Sequence, residues 1–151
     1  MDANTYDEIL KKAIQSEIDA QQFYADVATK VQDAHLKEMF ASFVDEEKRH
    51  EKILEGFRAR GAGHLHFKDA PDFKVAETIE SPSPSVDMKP ADALALAVKN
   101  EEAAMNHYTD LASACSDAEQ AAVFSELAAM ERDHKHKMET AFMDVGYPEV
   151  W

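Results

Sequence analysis

Four stretches of the chain repeat apolar residues every three or four positions, the spacing that gathers them on one face of an α-helix. In the first, Leu10, Ala13, Ile14, Glu17, Ala20, Tyr24, Val27, Ala28 and Val31 share a stripe that is apolar or small except at Glu17 and Tyr24. Thr5-x-x-Glu8 has capping-box form and predicts a helix start at Thr5. The second stripe runs Leu36, Met39, Phe40, Phe43, Glu47, His50, Leu54, Phe57, with Asp33 as the expected N-cap and Gly61 as a stop. The third is predicted to open near Asp87 with Pro90 in its first turn. It shows Leu94, Ala97, Val98, Glu101, Ala104, Met105, Tyr108, Leu111, Ala112 and Cys115. The fourth begins at Ser116-x-x-Glu119, a second capping box, and shows Phe124, Leu127, Glu131, His134 and Met138 before Gly146 ends it. A short tail, Tyr147 to Trp151, is expected to pack on the helices or on a partner chain.

Between the second and third stripes the pattern fails. Ser81-Pro82-Ser83-Pro84-Ser85 cannot be helix interior, and His64-x-His66 reads as a polar surface pair. A connection of this length is unusual in a compact domain unless it has a geometric task. It is long enough to run the length of a helical bundle and start the next helix parallel to the last. The predicted architecture is therefore all-α, a single domain over residues 1–151. Two helical hairpins, about 6–60 and about 90–145, are joined by one long crossover over about 61–89. The halves also repeat at a constant offset of 84 residues. Leu10 matches Leu94, Glu17 Glu101, Tyr24 Tyr108, Asp33 Asp117, Phe40 Phe124, Glu47 Glu131 and His50 His134.

Composition narrows the possible partners. The chain is 45% hydrophobic with only 4 Gly and 5 Pro, which suits long helices with few turns. A net charge of −14 argues against nucleic acid, because binding it needs a basic face to displace phosphate counterions. No run approaches the about 20 apolar residues that span a bilayer. The first residues lack a basic-then-apolar secretion signal, so no membrane association and a cytoplasmic location are expected. Cys115 is the single cysteine, which rules out an intrachain disulfide and a C-x-x-C metal knuckle; it is expected as a small buried residue near a helix end.

Candidate chemistry lies where carboxylates interrupt the apolar stripes. Glu47-x-x-His50 and Glu131-x-x-His134 are the only two E-x-x-H pairs in the chain, and residues three apart on a helix share a face. Glu17 precedes Glu47 by 30 residues, and Glu101 precedes Glu131 by the same 30. A bare carboxylate on a buried face must be neutralised, paired or bound to metal. Four of them gathered together repel, whereas two divalent cations balance them and the two imidazoles add neutral nitrogen ligands. Such mixed ligation suits iron or manganese, and zinc also fits. Each metal then has one terminal Glu (17 or 101) and one His (50 or 134), with Glu47 and Glu131 bridging. Tyr24 and Tyr108, seven residues after Glu17 and Glu101, are expected to hydrogen-bond the ligand carboxylates or simply to pack in the core. Asp45, Glu46, Lys48 and Arg49 fall elsewhere on the helical wheel and read as solvated.

This pattern, a Glu from each of two helices and Glu-x-x-His from each of the other two, resembles the ferritin-like di-iron carboxylate proteins. Within that group, Ser16-Glu17-Ile18-Asp19-Ala20-Gln21-Gln22-Phe23-Tyr24 and Asp45-Glu46-Glu47-Lys48-Arg49-His50 look most like rubrerythrins. The resemblance implies a ferritin-like four-helix bundle holding two iron ions and reducing hydrogen peroxide or dioxygen. It also implies a homodimer and an external electron donor, rubredoxin-like or a flavoprotein, because no cysteine quartet for a rubredoxin-like centre is present. Rubrerythrins carry a further Glu one turn after the helix-3 ligand; Ala104 stands there in this chain, which leaves a six-ligand set closer to ferroxidase centres. Ferroxidase or iron-handling activity is the alternative, and a non-catalytic metal-binding sensor or binding protein is a third.

Overall fold

The computed structural model describes residues 2–60, 89–141 and 143. Four α-helices make up nearly all of them: α1 (Ala3–Lys30), α2 (Ala34–Arg60), α3 (Pro90–Ala114) and α4 (Ala118–Ala141). The expected crossover, Gly61, Asp87, Gly146, the His64 and His66 pair and the tail at 147–151 lie outside the described residues.

The helix starts show a common device. The Asp33 side chain accepts from the backbone N–H of Leu36 at 3.0 Å, as expected of the α2 cap. The α1 cap is Asp2 rather than Thr5, its carboxylate accepting from Thr5 N at 2.8 Å, so the helix begins almost a turn early. Likewise α4 is capped by Asp117, which accepts from Gln120 N at 2.9 Å, and not by Ser116. In both places an aspartate other than the predicted cap residue satisfies a free N–H group and matches the positive end of the helix dipole. Pro90 opens α3, where its missing N–H costs nothing.

The described residues fall into two compact units. The first holds α1, α2 and residues 115–123; the second holds α3 and α4 from Phe124 onward. In the first unit, Arg58 makes a two-pronged contact with Asp7 at 2.6 and 3.2 Å, and Tyr24 packs edge-on against Phe43 with ring centroids 5.5 Å apart. Residue 7 beside 58 and 24 beside 43 make α1 and α2 an antiparallel hairpin, turned by the three residues 31–33. Its seam buries Leu10, Ala13, Phe40, Phe43, Leu54 and Phe57, the apolar stripes foreseen for both helices.

In the second unit, Glu101 lies beside His134, and Glu102 beside Lys135. Further along the same seam, Thr109, Ala112 and Ser113 face Ser125, Ala128 and Arg132 across a cavity of about 340 Å³. The pairing runs antiparallel. Burial here exceeds one stripe, however. Every residue from Ala93 to Val98 is buried, so the start of α3 is enclosed on all sides, as an all-apolar helical segment requires. On α4, Lys135 and Glu139 are buried too, outside the stripe expected for that helix. Cys115 is half-buried, just past the end of α3, instead of belonging to its buried stripe.

Candidate metal centre

All six predicted ligands sit on the stripes that carry the core. Glu17, Glu47, His50, Glu101, Glu131 and His134 are each buried, with both imidazoles fully enclosed. The burial of four carboxylates in a protein interior demands a compensating interaction.

The first unit brings three of them together. His50 Nδ1 lies 3.5 Å from Glu17 Oε2 and 3.8 Å from Glu47 Oε2. Glu47 and His50 project from the same face of α2 one turn apart, and the antiparallel partner α1 supplies Glu17 from across the seam. Their opposite ring nitrogen has its own neighbour: His50 Nε2 lies 3.9 Å from Glu46 Oε2, and Arg49 Nη2 approaches that same oxygen at 3.2 Å. Glu46 is thus turned to the back of the imidazole and is not a freely solvated residue. The i, i+4 spacing of Glu46 and His50 is the sequence signal for this contact.

The second unit repeats the motif. His134 Nδ1 lies 3.3 Å from Glu101 Oε1, the counterparts of His50 and Glu17 at the offset of 84. Glu131 is buried one turn before His134 on α4. Beside this set runs a second rung, in which the buried Lys135 ammonium lies 3.8 Å from Glu102 Oε1 and 4.0 Å from Glu139 Oε2. Nothing in the helical pattern marked Lys135 or Glu139. Their sole sequence signal is an i, i+4 opposite-charge pair, which usually lies on a solvated face.

Glu17, Glu47, His50, Glu131 and His134 all belong to buried Glu/His groups of the kind that can hold a metal ion. Carboxylate oxygens with imidazole nitrogens fit a divalent first-row cation, and the buried stripes that carry them limit competition from water. Tyr24 and Tyr108 are buried as well; Tyr24 is wedged edge-on between Phe23 and Phe43, at centroid distances of 5.4 and 5.5 Å. Those ring contacts give its aromatic body a packing role whatever its hydroxyl does.

Comparison with known proteins supports this arrangement. The family model described as Rubrerythrin matches residues 8–141. Among solved structures, a hypothetical protein from Pyrococcus furiosus is similar, with a TM-score of 0.60 and 25% identity over 91% of this chain and 88% of that one. No curated protein matches. Four helices without a strand among the described residues, together with that likeness, give the chain the ferritin-like four-helix fold. With its family match running from the first helix to the end of the fourth, the chain belongs to the Rubrerythrin family.

Proposed function

We propose that the two Glu/His sets jointly hold two iron ions and that the protein is an oxidoreductase reducing hydrogen peroxide or dioxygen. One observation carries this reading: each hairpin buries a Glu-x-x-His pair with an upstream Glu, in register at an offset of 84 residues. When bound, two irons would supply one electron each on passing from ferrous to ferric, enough, with two protons from solvent, to take hydrogen peroxide to two waters or dioxygen to hydrogen peroxide. Glu17, Glu47, Glu101 and Glu131 would supply the carboxylate ligands, and His50 and His134 the nitrogen ligands. Manganese or zinc satisfies the same donors, so the metal loaded is part of the proposal.

Tyr24 and Tyr108 hold the terminal carboxylates in place through their hydroxyls in this scheme, and the apolar stripes keep bulk water from the reacting oxygens. Electrons return from a rubredoxin-like or flavoprotein donor in this scheme. The protein acts in the cytoplasm as a homodimer. Among the described residues no helix is long and apolar enough to cross a membrane.

Ala104 favours a second reading. It occupies the position of the additional rubrerythrin carboxylate, and without that ligand the set suits ferroxidase or iron-handling chemistry. Stopped-flow mixing of the ferrous-loaded protein separates the two. Oxidation by peroxide far faster than by dioxygen supports the peroxidase reading; iron uptake well beyond two ions per chain supports the other. Glu47→Ala and Glu131→Ala are each expected to lose at least one iron per chain by elemental analysis. Two irons retained in either variant, with unchanged spectra, would sink the ligand assignment.

A further inference from the structure

We infer that Gln21 and Glu51 are positioning residues for the first half of this centre: their side-chain hydrogen bond clasps α1 to α2 beside the Glu17–His50 pair. This role rests on the metal-binding reading above and belongs to two residues outside the ligand pattern.

The need for a clasp shows in how the seam is filled. The buried residues of α1 are Leu10, Ala13, Glu17 and Tyr24; those of α2 include Phe40, Phe43, Glu47, His50, Ile53 and Leu54. Apolar side chains therefore fix the hairpin on either side of the ligands. Between Ala13 and Tyr24 only Glu17 is buried, and between Phe43 and Ile53 only Glu47 and His50. Interlocking apolar ridges set the register of packed helices, and this stretch has few of them. The carboxylates of Glu17 and Glu47 also repel one another there. The ligand level is thus where the two helices most easily slide or part.

Gln21 and Glu51 span that weak stretch. The Gln21 Nε2–H group donates to Glu51 Oε1 at 2.8 Å, and both residues are half-buried. Gln21 follows Glu17 by one turn of α1, and Glu51 follows His50 directly on α2. The bond joins the two segments that carry the first ligand pair, and its charged acceptor makes it one of the stronger kind. A ligand set has to be held within about 0.5 Å of its working geometry. Sliding α1 by one residue moves Glu17 by about 1.5 Å.

The second unit meets the same need with different chemistry. At the offset of 84, Lys135 stands in place of Glu51, Glu102 in place of Ile18, and Met105 in place of Gln21. The Lys135 ammonium on α4 lies 3.8 Å from Glu102 Oε1 on α3, beside the Glu101–His134 pair. In each hairpin the residue after the histidine makes a polar contact across the seam, although its charge and its partner differ. The recurrence belongs to the task and not to the residue types.

Cobalt(II) alone, followed by calorimetry and visible absorption, tests the clasp. The unmodified protein should take up two ions. Gln21→Met, which installs the residue of the twin position at similar length, should weaken uptake of one ion by about 10-fold and leave the other as it was. Glu51→Leu should do the same. The double variant Gln21→Met/Glu51→Leu should be no weaker than either single one, as for two groups acting through one contact. Glu51→Gln removes the charge but keeps an acceptor oxygen, so it should retain most of the affinity lost in Glu51→Leu. Gln15→Leu, which breaks an exposed bond to Asp19 within α1, is the control and should bind both ions normally. Unmodified affinities in Gln21→Met refute the clasp and leave the metal site standing. If Glu51→Gln is as weak as Glu51→Leu, the carboxylate acts through its charge and the inference fails. Failure of the unmodified protein to bind cobalt overturns the clasp and the metal-binding reading together.

Discussion

Replacing Lys135 with methionine should destabilise the protein far more than a lysine substitution normally does. The ammonium is buried, 3.8 Å from Glu102 Oε1 and 4.0 Å from Glu139 Oε2. At an effective dielectric near 20, each attraction amounts to about 4 kcal/mol. Stripping water from Lys135 and from the fully buried Glu139 costs several kcal/mol per ion, so the intact cluster comes out roughly even. Removing the ammonium alone is different. Glu139 then keeps its desolvation cost and loses the cation at i−4, and the expected destabilisation is about 3–5 kcal/mol. For a chain of this length that lowers Tm by about 6–20 °C. Urea unfolding at neutral pH, in the presence of a chelator, gives the comparison. Lys135→Met is set against Lys135→Met/Glu139→Leu, in which both charges are gone and apolar volume remains. The double variant should recover to within about 1 kcal/mol of the unmodified protein. Lys11→Met, in an exposed ion pair with Asp7 and Glu8, is the control and should be nearly silent. A Lys135→Met variant indistinguishable from that control, or a double variant no better than the single, would refute the argument.

Other outcomes follow from the same geometry. The Tyr6 hydroxyl is pushed from 10.0 up to about 12 by burial and then by the nearby Glu119, Cys115 and Asp117. Its contribution to stability is complete below pH 10 and is lost as pH rises towards 12. A shift of that size is worth about 2.7 kcal/mol in a dry site, but Tyr6 is only half-buried, and about 1 kcal/mol is expected after solvent screening. Tyr6→Phe should flatten that alkaline decline in unfolding free energy; an unchanged profile would count against it. Asp117→Ala should cost about 1 kcal/mol and Ser116→Ala little, measured by urea unfolding, because the aspartate and not the serine caps α4. Removing bound metal with a chelator should change Tm. An ion present at a hundred times its Kd and bound only by the folded state contributes about 2.7 kcal/mol, and calorimetry showing no shift would argue against the centre.

The buried Glu/His sets were legible in the sequence because their signal is a contradiction along one helix. Glu17 and Glu47 interrupt stripes that are otherwise apolar, and the second hairpin repeats the interruption at Glu101 and Glu131. Helix periodicity is a local property, so it survives without knowledge of neighbours. Asp33 was legible for the same reason. Asp2 and Asp117 were not, since Thr5-x-x-Glu8 and Ser116-x-x-Glu119 match the capping-box pattern and the choice between adjacent acceptors depends on backbone geometry. Lys135 and Glu139 depend on what covers the flank of α4, and no periodicity within α4 reports that. Glu46 was read as solvated because a helical wheel places only its Cβ; a long side chain can turn back towards the histidine one turn on.

The brevity of the two turns has a consequence for what the chain can tolerate. Residues 31–33 and 115–117 are connections of equal length, each ending in an aspartate. A helix is stiff, and one residue added at its start rotates everything downstream by about 100°. Glu47 lies 14 residues beyond Asp33, about 21 Å along the axis, so a residue inserted within α2 between the two would swing the Glu-x-x-His face away from Glu17 while helix content stayed the same. Circular dichroism would not notice the lesion, and metal uptake would. Variation in length is therefore costly between each cap and its Glu-x-x-His pair, where every added residue changes the phase of the face.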